Sequence, residues 1–196
     1  DYYYRGKELV NKQTDNDQEF YATMEKALSY FKKAIEEDDG FASAYGEISL
    51  IYYYFHNAIT YSETVLENIS NKDSSYAQIS EFYNSLRNRN EDFPSLININ
   101  ADKAMVNDPE LDLSHIGKAH YYRSQDEIEL ATKFYKKALS YNPNSTIALN
   151  SLRFIYGRFD NLPDAEKFLE YTLMAVKLEV EDSTQRSSAF ESLARA

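Results

Sequence analysis

The chain repeats itself at an interval of 34 residues, and this recurrence limits its possible folds more than any other feature. Similar or identical residues stand at this spacing four times: Asp108-Pro109 with Asn142-Pro143, Lys103-Ala104 with Lys137-Ala138, Tyr122 with Tyr156, and Ala131 with Ala165. A period of about 20 to 50 residues is typical of repeat proteins, in which each repeat is one supersecondary unit. The fold of the chain is therefore set by the structure of the repeated unit.

The repeated unit is predicted to be helical. Five Gly, four Pro and no sustained two-residue alternation rich in Val or Thr argue against a sheet protein. Apolar residues recur at three- and four-residue steps, as in amphipathic helices. Two segments show this spacing: Tyr21, Met24, Ala27, Leu28, Phe31 and Ile35, and later Ile128, Ala131, Tyr135, Ala138 and Leu139. The run Ser124-Gln125-Asp126-Glu127 predicts a capping box at the start of the second helix.

The repeated unit has a fixed order of small, bulky and proline residues, which is typical of pairs of packed helices. Ala131 and Ala138 would let a second helix lie close against a first, and Tyr135 would fill the space between neighbouring pairs. Pro143 ends the unit because proline cannot continue a helix. Each pair can bury its apolar face only against the next pair. The sequence therefore predicts an all-α solenoid of about four helix hairpins.

These residues resemble the tetratricopeptide repeat (TPR), a motif of about 34 residues that forms two antiparallel helices. The best match runs from Glu110 to Pro143 and fills the small, aromatic and proline positions of the motif with Ala119, Tyr122, Ala131, Tyr135, Ala138 and Pro143. The order of segments is similar to the repeat regions of bacterial signalling proteins. In that group, such arrays follow a nucleotide cyclase, a kinase or a winged-helix transcriptional domain. Because the first residue is Asp1, we expect this chain to be part of a longer protein.

We expect one superhelical domain over residues 1–196. Its predicted parts are a first hairpin at 1–40 with a polar loop from Lys12 to Asp17, a second at 41–110 with an insertion at 57–93, a third at 110–143, a fourth at 144–180, and a capping or next-repeat helix at 183–196. Helical spacing of Tyr76, Ile79, Tyr83 and Leu86 predicts at least one further helix in the insertion. The insertion is either a partner-contacting elaboration or a degenerate repeat.

Charge and cysteine content exclude several classes of function. Lys and Arg number 21 against 32 Asp and Glu, so the net charge of −11 repels nucleic-acid phosphates and anionic lipids. No segment approaches the length of a membrane span. The chain has no Cys, which removes disulfides, thiol nucleophiles and Cys-based zinc sites. We expect neither a nucleic-acid partner nor membrane insertion, and a cytoplasmic location is favoured.

No set of residues has the spacing of a catalytic or metal site. His56, His115 and His120 are the only histidines, and the last two would lie about 140° apart around a helix. They are predicted to be structural or solvent-facing. Nucleophile elbows, Gly-rich phosphate loops, H-E-x-x-H motifs and EF-hand spacings are all missing from the sequence. We therefore expect a non-enzymatic chain without cofactor or metal.

The TPR resemblance implies a protein-interaction or regulatory module that binds a protein or peptide segment. In this family the first helices of successive hairpins line a concave surface. The residues that would face a partner there are Tyr3, Lys7, Leu50, Tyr53, Tyr54, His120, Arg123, Asn150, Phe154 and Arg158. Aromatic side chains suit reversible peptide recognition, although for any single Tyr a role as a rigid packing residue is the favoured explanation. Two alternatives stay open: self-association, as a homodimer that brings attached domains together, and small-molecule sensing.

Overall fold

The computed structural model describes residues 1–68, 81, 83–157 and 164–181 of the chain. Every regular element in these ranges is helical, so the predicted all-α class is confirmed for the part described. The helices are α1 (Tyr2–Val10), α2 (Asp17–Glu37), α3 (Ala42–Asn68), α4 (Phe93–Asn107), α5 (Asp112–Ser124), α6 (Ile128–Tyr141), α7 (Thr146–Gly157) and α8 (Ala165–Glu181). Residues 83–87 are also helical. In none of the described segments is a helix long and apolar enough to cross a membrane.

The recurring segment Lys103-Ala104 to Asp108, repeated at Lys137-Ala138 to Asn142, has a third copy at Lys33-Ala34 to Asp38, and all three form the same turn. After α2, α4 and α6, the amide of the capping residue donates to the carbonyl of the repeated alanine, over N···O distances of 2.8 to 3.0 Å. The side-chain oxygen of that capping residue then accepts from the amide two residues on, at 3.0, 3.0 and 3.2 Å. Asp and Asn favour turns because their side chains form this local bond. The capping residues are Asp38, Asp108 and Asn142.

Local polar contacts fix the starts of α2 and α4. The Asn16 side chain accepts from the Glu19 amide at 2.9 Å and begins α2. Asp92 accepts from the Ser95 amide at 3.2 Å and begins α4, which has a proline in its first turn. An oxygen at this position satisfies one of the backbone donors that a helix start leaves unpaired.

The helices pack in chain order, and α3 packs in addition against a helix that is not its neighbour in the chain. Each described helix contacts the next one along the chain, and α3 also contacts α5. Gly117 lies where α3, α4 and α5 meet: a Cβ atom there would come within 2.6 Å of Ser49 Oγ and 2.7 Å of Ala101 Cβ. The close approach of three helices thus depends on a missing side chain.

Two clusters form the apolar core. One involves α1 to α4 and also takes in Tyr83 and Leu86, which are buried. The other involves α5 to α8 and is centred on Tyr135. Ala131, Tyr135 and Ala138 are fully buried, as the repeat pattern predicts. The small residues of the motif are therefore part of the core.

One local prediction differs from the structure, and the predicted bounds of the insertion stay untested. The insertion predicted at 57–93 would begin within α3, which runs as one helix to Asn68. The capping box before α6 does not form: the N-cap is Glu127, which makes no side-chain cap bond, and the Ser124 hydroxyl donates to the Tyr121 carbonyl at 2.7 Å. The reason is that Ser124 still belongs to α5, and Asp126 reverses the chain with a φ of 59°.

Some predictions fall outside the described residues. These are the packing of Tyr76 and Ile79, the partner-facing position of Arg158, and the capping helix at 183–196.

Candidate interaction surface

Four of the predicted partner-facing residues form a continuous row across α3, α5 and α7. The Tyr53 and His120 rings stack with centroids 3.7 Å apart and planes only 9° from parallel. The Arg123 guanidinium lies 5.9 Å from the Tyr53 ring centroid and 4.5 Å from that of Phe154. Both distances are within the range of a cation–π interaction. We call Tyr53, His120, Arg123 and Phe154 the aromatic row.

Helical spacing explains how the aromatic row forms. His120 and Arg123 are three residues apart, so they share one face of α5. That face turns toward α3 on one side and α7 on the other, because α5 packs against α3 and its Arg123 reaches Phe154. The row therefore follows from the packing order of the helices.

The aromatic row has a buried end and an exposed end. Tyr53 and His120 are buried, whereas Phe154 is 48% exposed and Arg123 is partly exposed. Leu50, on the preceding turn of α3, is also buried. Asn150 precedes Phe154 by one turn, and its Oδ1 atom is buried without a hydrogen-bond partner in the described structure. A partner would thus meet Phe154 and Arg123 directly, with Tyr53 and His120 as their support.

His120 is held neutral in this environment. Complete burial lowers its pKa well below 6.5, and the nearby positive charge of Arg123 lowers it further. Its Nδ1 atom has no hydrogen-bond partner among the described residues, and Tyr135 meets the ring edge-on at 5.6 Å. A neutral imidazole can stack on Tyr53 without bringing a second positive charge close to Arg123. The described residues contain no group of three or more His, Cys, Asp or Glu that could hold a metal ion.

Tyr3 and Lys7 belong to a second group, centred on Glu47. Lys7 Nζ donates to Glu47 Oε1 at 2.5 Å and so joins α1 to α3. Glu47 is 1% exposed, and its Oε2 atom has no hydrogen-bond partner in the described ranges. Burial raises the pKa of this carboxyl, although Lys7 opposes the change. Glu47 is therefore a buried carboxyl with one ion-pair partner and one acceptor atom that no described residue contacts by a hydrogen bond.

Tyrosines surround this ion pair. Burial, followed by the charge of Glu47, raises the pKa of Tyr3 to about 12 and that of Tyr54 to about 12. The Tyr3 ring lies 4.7 Å from Phe41, and the Tyr54 ring 5.6 Å from Phe20. Both hydroxyls thus stay protonated at neutral pH, and both rings pack against the protein.

Sequence reasoning did not single out Glu47. It is the only carboxylate between Ala42 and Tyr61, in a mostly apolar and aromatic run without Lys or Arg, and that isolation is the signal that could have identified it. Its partner lies 40 residues away, a pairing that helical spacing alone does not predict.

Comparison with known proteins adds no relative. No protein-family model matches the chain, and no curated protein is significantly similar to it.

Proposed function

We propose that this chain is a TPR-type interaction module that binds a peptide segment of a partner protein on the surface formed by α3, α5 and α7. The observation that carries the proposal is the aromatic row, which joins three helices separated in sequence and ends on an exposed Phe154 next to Arg123. Exposed aromatic and arginine side chains supported by buried neighbours are the usual anchors of protein interfaces.

The repeat part of the proposal is supported by local structure. Three copies of one sequence phrase make the same capping and turn hydrogen bonds. Helices packed on their chain neighbours, with α3 also touching α5, are what stacked hairpins require. A stack of this kind presents its alternate helices side by side, and α3, α5 and α7 are the alternate helices.

A displayed peptide library tests the proposal even while the natural partner is unidentified. Peptides selected on the wild-type chain would be measured by fluorescence anisotropy against Phe154→Ser. We expect affinity to fall about tenfold or more, as for an interface anchor. Val106→Ser is the matched control, because Val106 is an exposed apolar residue on α4 outside the aromatic row. Selected peptides that bind Phe154→Ser as tightly as the wild type would contradict the proposed surface.

A second candidate function, self-association, is favoured by one observation on α8. Leu169 and Leu173 stand four residues apart on this helix and are 42% and 51% exposed. Such a face can be buried by a second copy of the chain. Light scattering coupled to size exclusion distinguishes the candidates: self-association predicts a concentration-dependent dimer that Leu173→Glu abolishes, and a strict monomer rejects it.

A further inference from the structure

Three lysines of α6 line one cavity. Lys133, Lys136 and Lys137 surround an open cavity of about 450 Å³ together with His115, Phe134 and Ser140. The spacing of i, i+3 and i+4 places the lysines on one side of the helix, where like charges repel. None of these residues belongs to the aromatic row.

No carboxylate neutralises these lysines within the described structure. Other lysines form ion pairs, such as Lys7 with Glu47 and Lys118 with Asp102. By contrast, Lys137 lies 4.5 Å from the Tyr141 ring centroid, and Lys136 lies 5.6 Å from that of Tyr156. In a chain of net charge −11, three lysines thus border one cavity without a carboxylate partner among the described residues.

The wall of the cavity is aromatic and carries a buried polar atom without a partner. His115 is 6% exposed and its ring lies 6.2 Å from Phe134 and 5.1 Å from Tyr141. Its Nε2 must donate to the Pro109 carbonyl at 2.8 Å, since a carbonyl can only accept. The Nδ1 atom has no hydrogen-bond partner from the described residues. The wall is thus aromatic, with one buried polar atom that the described residues leave unpaired.

We propose that this cavity binds an aryl phosphate, with the phosphoryl oxygens on the lysine ammonium groups and the aromatic ring against Phe134. A phosphomonoester carries between one and two negative charges at neutral pH and accepts several charge-assisted hydrogen bonds. The alkyl stems of the lysines and Phe134 offer apolar surface to the ring that carries it. The phosphate can be a small free ligand or a phosphorylated tyrosine side chain, since both present the same group.

Calorimetric titration with phenyl phosphate tests the site. We expect saturable binding that is at least tenfold tighter than for phenol or inorganic phosphate. Phenol lacks the phosphoryl group, and inorganic phosphate lacks the aromatic ring. Lys133→Gln and Lys137→Gln should each weaken phenyl phosphate binding about tenfold, and added salt should weaken it further. No saturable binding, or equal binding of phenol, would overturn the proposal.

Lys103→Gln is the matched control for the lysine variants. Lys103 is exposed, stands 34 residues before Lys137 in the repeat, and lies 5.1 Å from the Tyr45 ring, but it is not part of the cavity. Its replacement should leave phenyl phosphate binding unchanged. Circular dichroism of all three variants checks that they fold. Equal weakening by Lys103→Gln would show that phenyl phosphate affinity depends on the overall charge of the chain and not on the cavity.

Two further measurements locate the ligand and its source. In ¹⁵N-histidine-labelled protein, phenyl phosphate should move the His115 Nδ1 resonance and leave those of His56 and His120 in place; movement of all three or of none would overturn the assignment. A phosphotyrosine peptide that binds tighter than phenyl phosphate would identify a phosphorylated segment as the source. Weaker binding of the peptide would identify a small free phosphate.

Discussion

At the scale of single residues, two buried ionisable groups make stability depend on pH in opposite directions. Glu47 is an acid whose pKa is raised by burial, and His120 is a base whose pKa is lowered by burial. In both, the folded chain favours the neutral form. Glu47 therefore lowers the free energy of unfolding above its ordinary pKa, where the unfolded chain carries the negative charge. His120 lowers it below its ordinary pKa, where the unfolded chain carries the positive charge.

For His120, we expect the free energy of unfolding to fall as the pH drops below 6.5. The unfolded chain takes up a proton there and the buried ring does not, so the slope approaches about 1.4 kcal/mol per pH unit. His120→Phe keeps an aromatic ring against Tyr53 and removes the titration. Urea unfolding of both proteins between pH 5 and 7.5 measures the difference. A difference that stays constant with pH would contradict a neutral His120.

For Glu47 the sign is reversed. Its stability contribution is fully present below the ordinary pKa of 4.5 and is lost as the pH rises through the raised pKa of the folded chain. We therefore expect Glu47→Gln to gain stability relative to the wild type as the pH rises above 4.5. Lys7→Met removes the only ion-pair partner that the described residues give the Glu47 carboxylate. This change should cost about 1 to 2 kcal/mol at pH 7, a value reduced because Lys7 is 34% exposed. Denaturant titrations of the wild type and both variants at pH 4 and pH 7 measure these differences in the free energy of unfolding. A difference that is the same at both pH values would contradict a Glu47 carboxyl with a raised pKa.

At the scale of elements, helix packing rests on small residues at defined contacts. Gly117→Ala adds a methyl group where α3 and α4 already come within 2.7 Å of its position, so overpacking should cost about 1 to 3 kcal/mol despite the better helix propensity of alanine. Gly40→Ala is the control, since its Cβ would meet nothing closer than 3.4 Å. Thermal unfolding compares the two. An unchanged melting temperature for Gly117→Ala would show that the three helices can move apart without cost.

The elements were predictable where local rules act alone. The three- and four-residue apolar spacing and the repeated alanines predicted α2 and α6, because both patterns are local. The start of α6 was mispredicted because α5 continues to Ser124 and Asp126 has a left-handed backbone conformation. The S-x-x-E pattern predicts neither feature. In the candidate surface, the face of α5 was predictable from the repeat register. The burial of Leu50 and His120 and the pairing of Lys7 with Glu47 were not, because each depends on which distant helix lies opposite.

At the scale of the whole molecule, the two core clusters indicate how the chain should unfold. One cluster joins α1 to α4 and the other α5 to α8, with contacts of α5 to α3 and α4 between them. If hairpins stack as proposed, stability is approximately a sum of repeat terms and nearest-neighbour terms. Damage to one end should then leave the far end folded.

Ala138→Glu tests this expectation, because it places a charge at a fully buried position of the second cluster. An uncompensated buried charge is among the few changes that destabilise by more than about 4 kcal/mol. We expect hydrogen exchange to show lost protection in α6 to α8, while α2 and the first part of α3 stay protected. Ala34→Glu, at the matching position of the first cluster, should give the opposite pattern. Loss of protection throughout the chain in both variants would indicate one cooperative bundle, and would count against the stacked arrangement on which the proposed interaction surface depends.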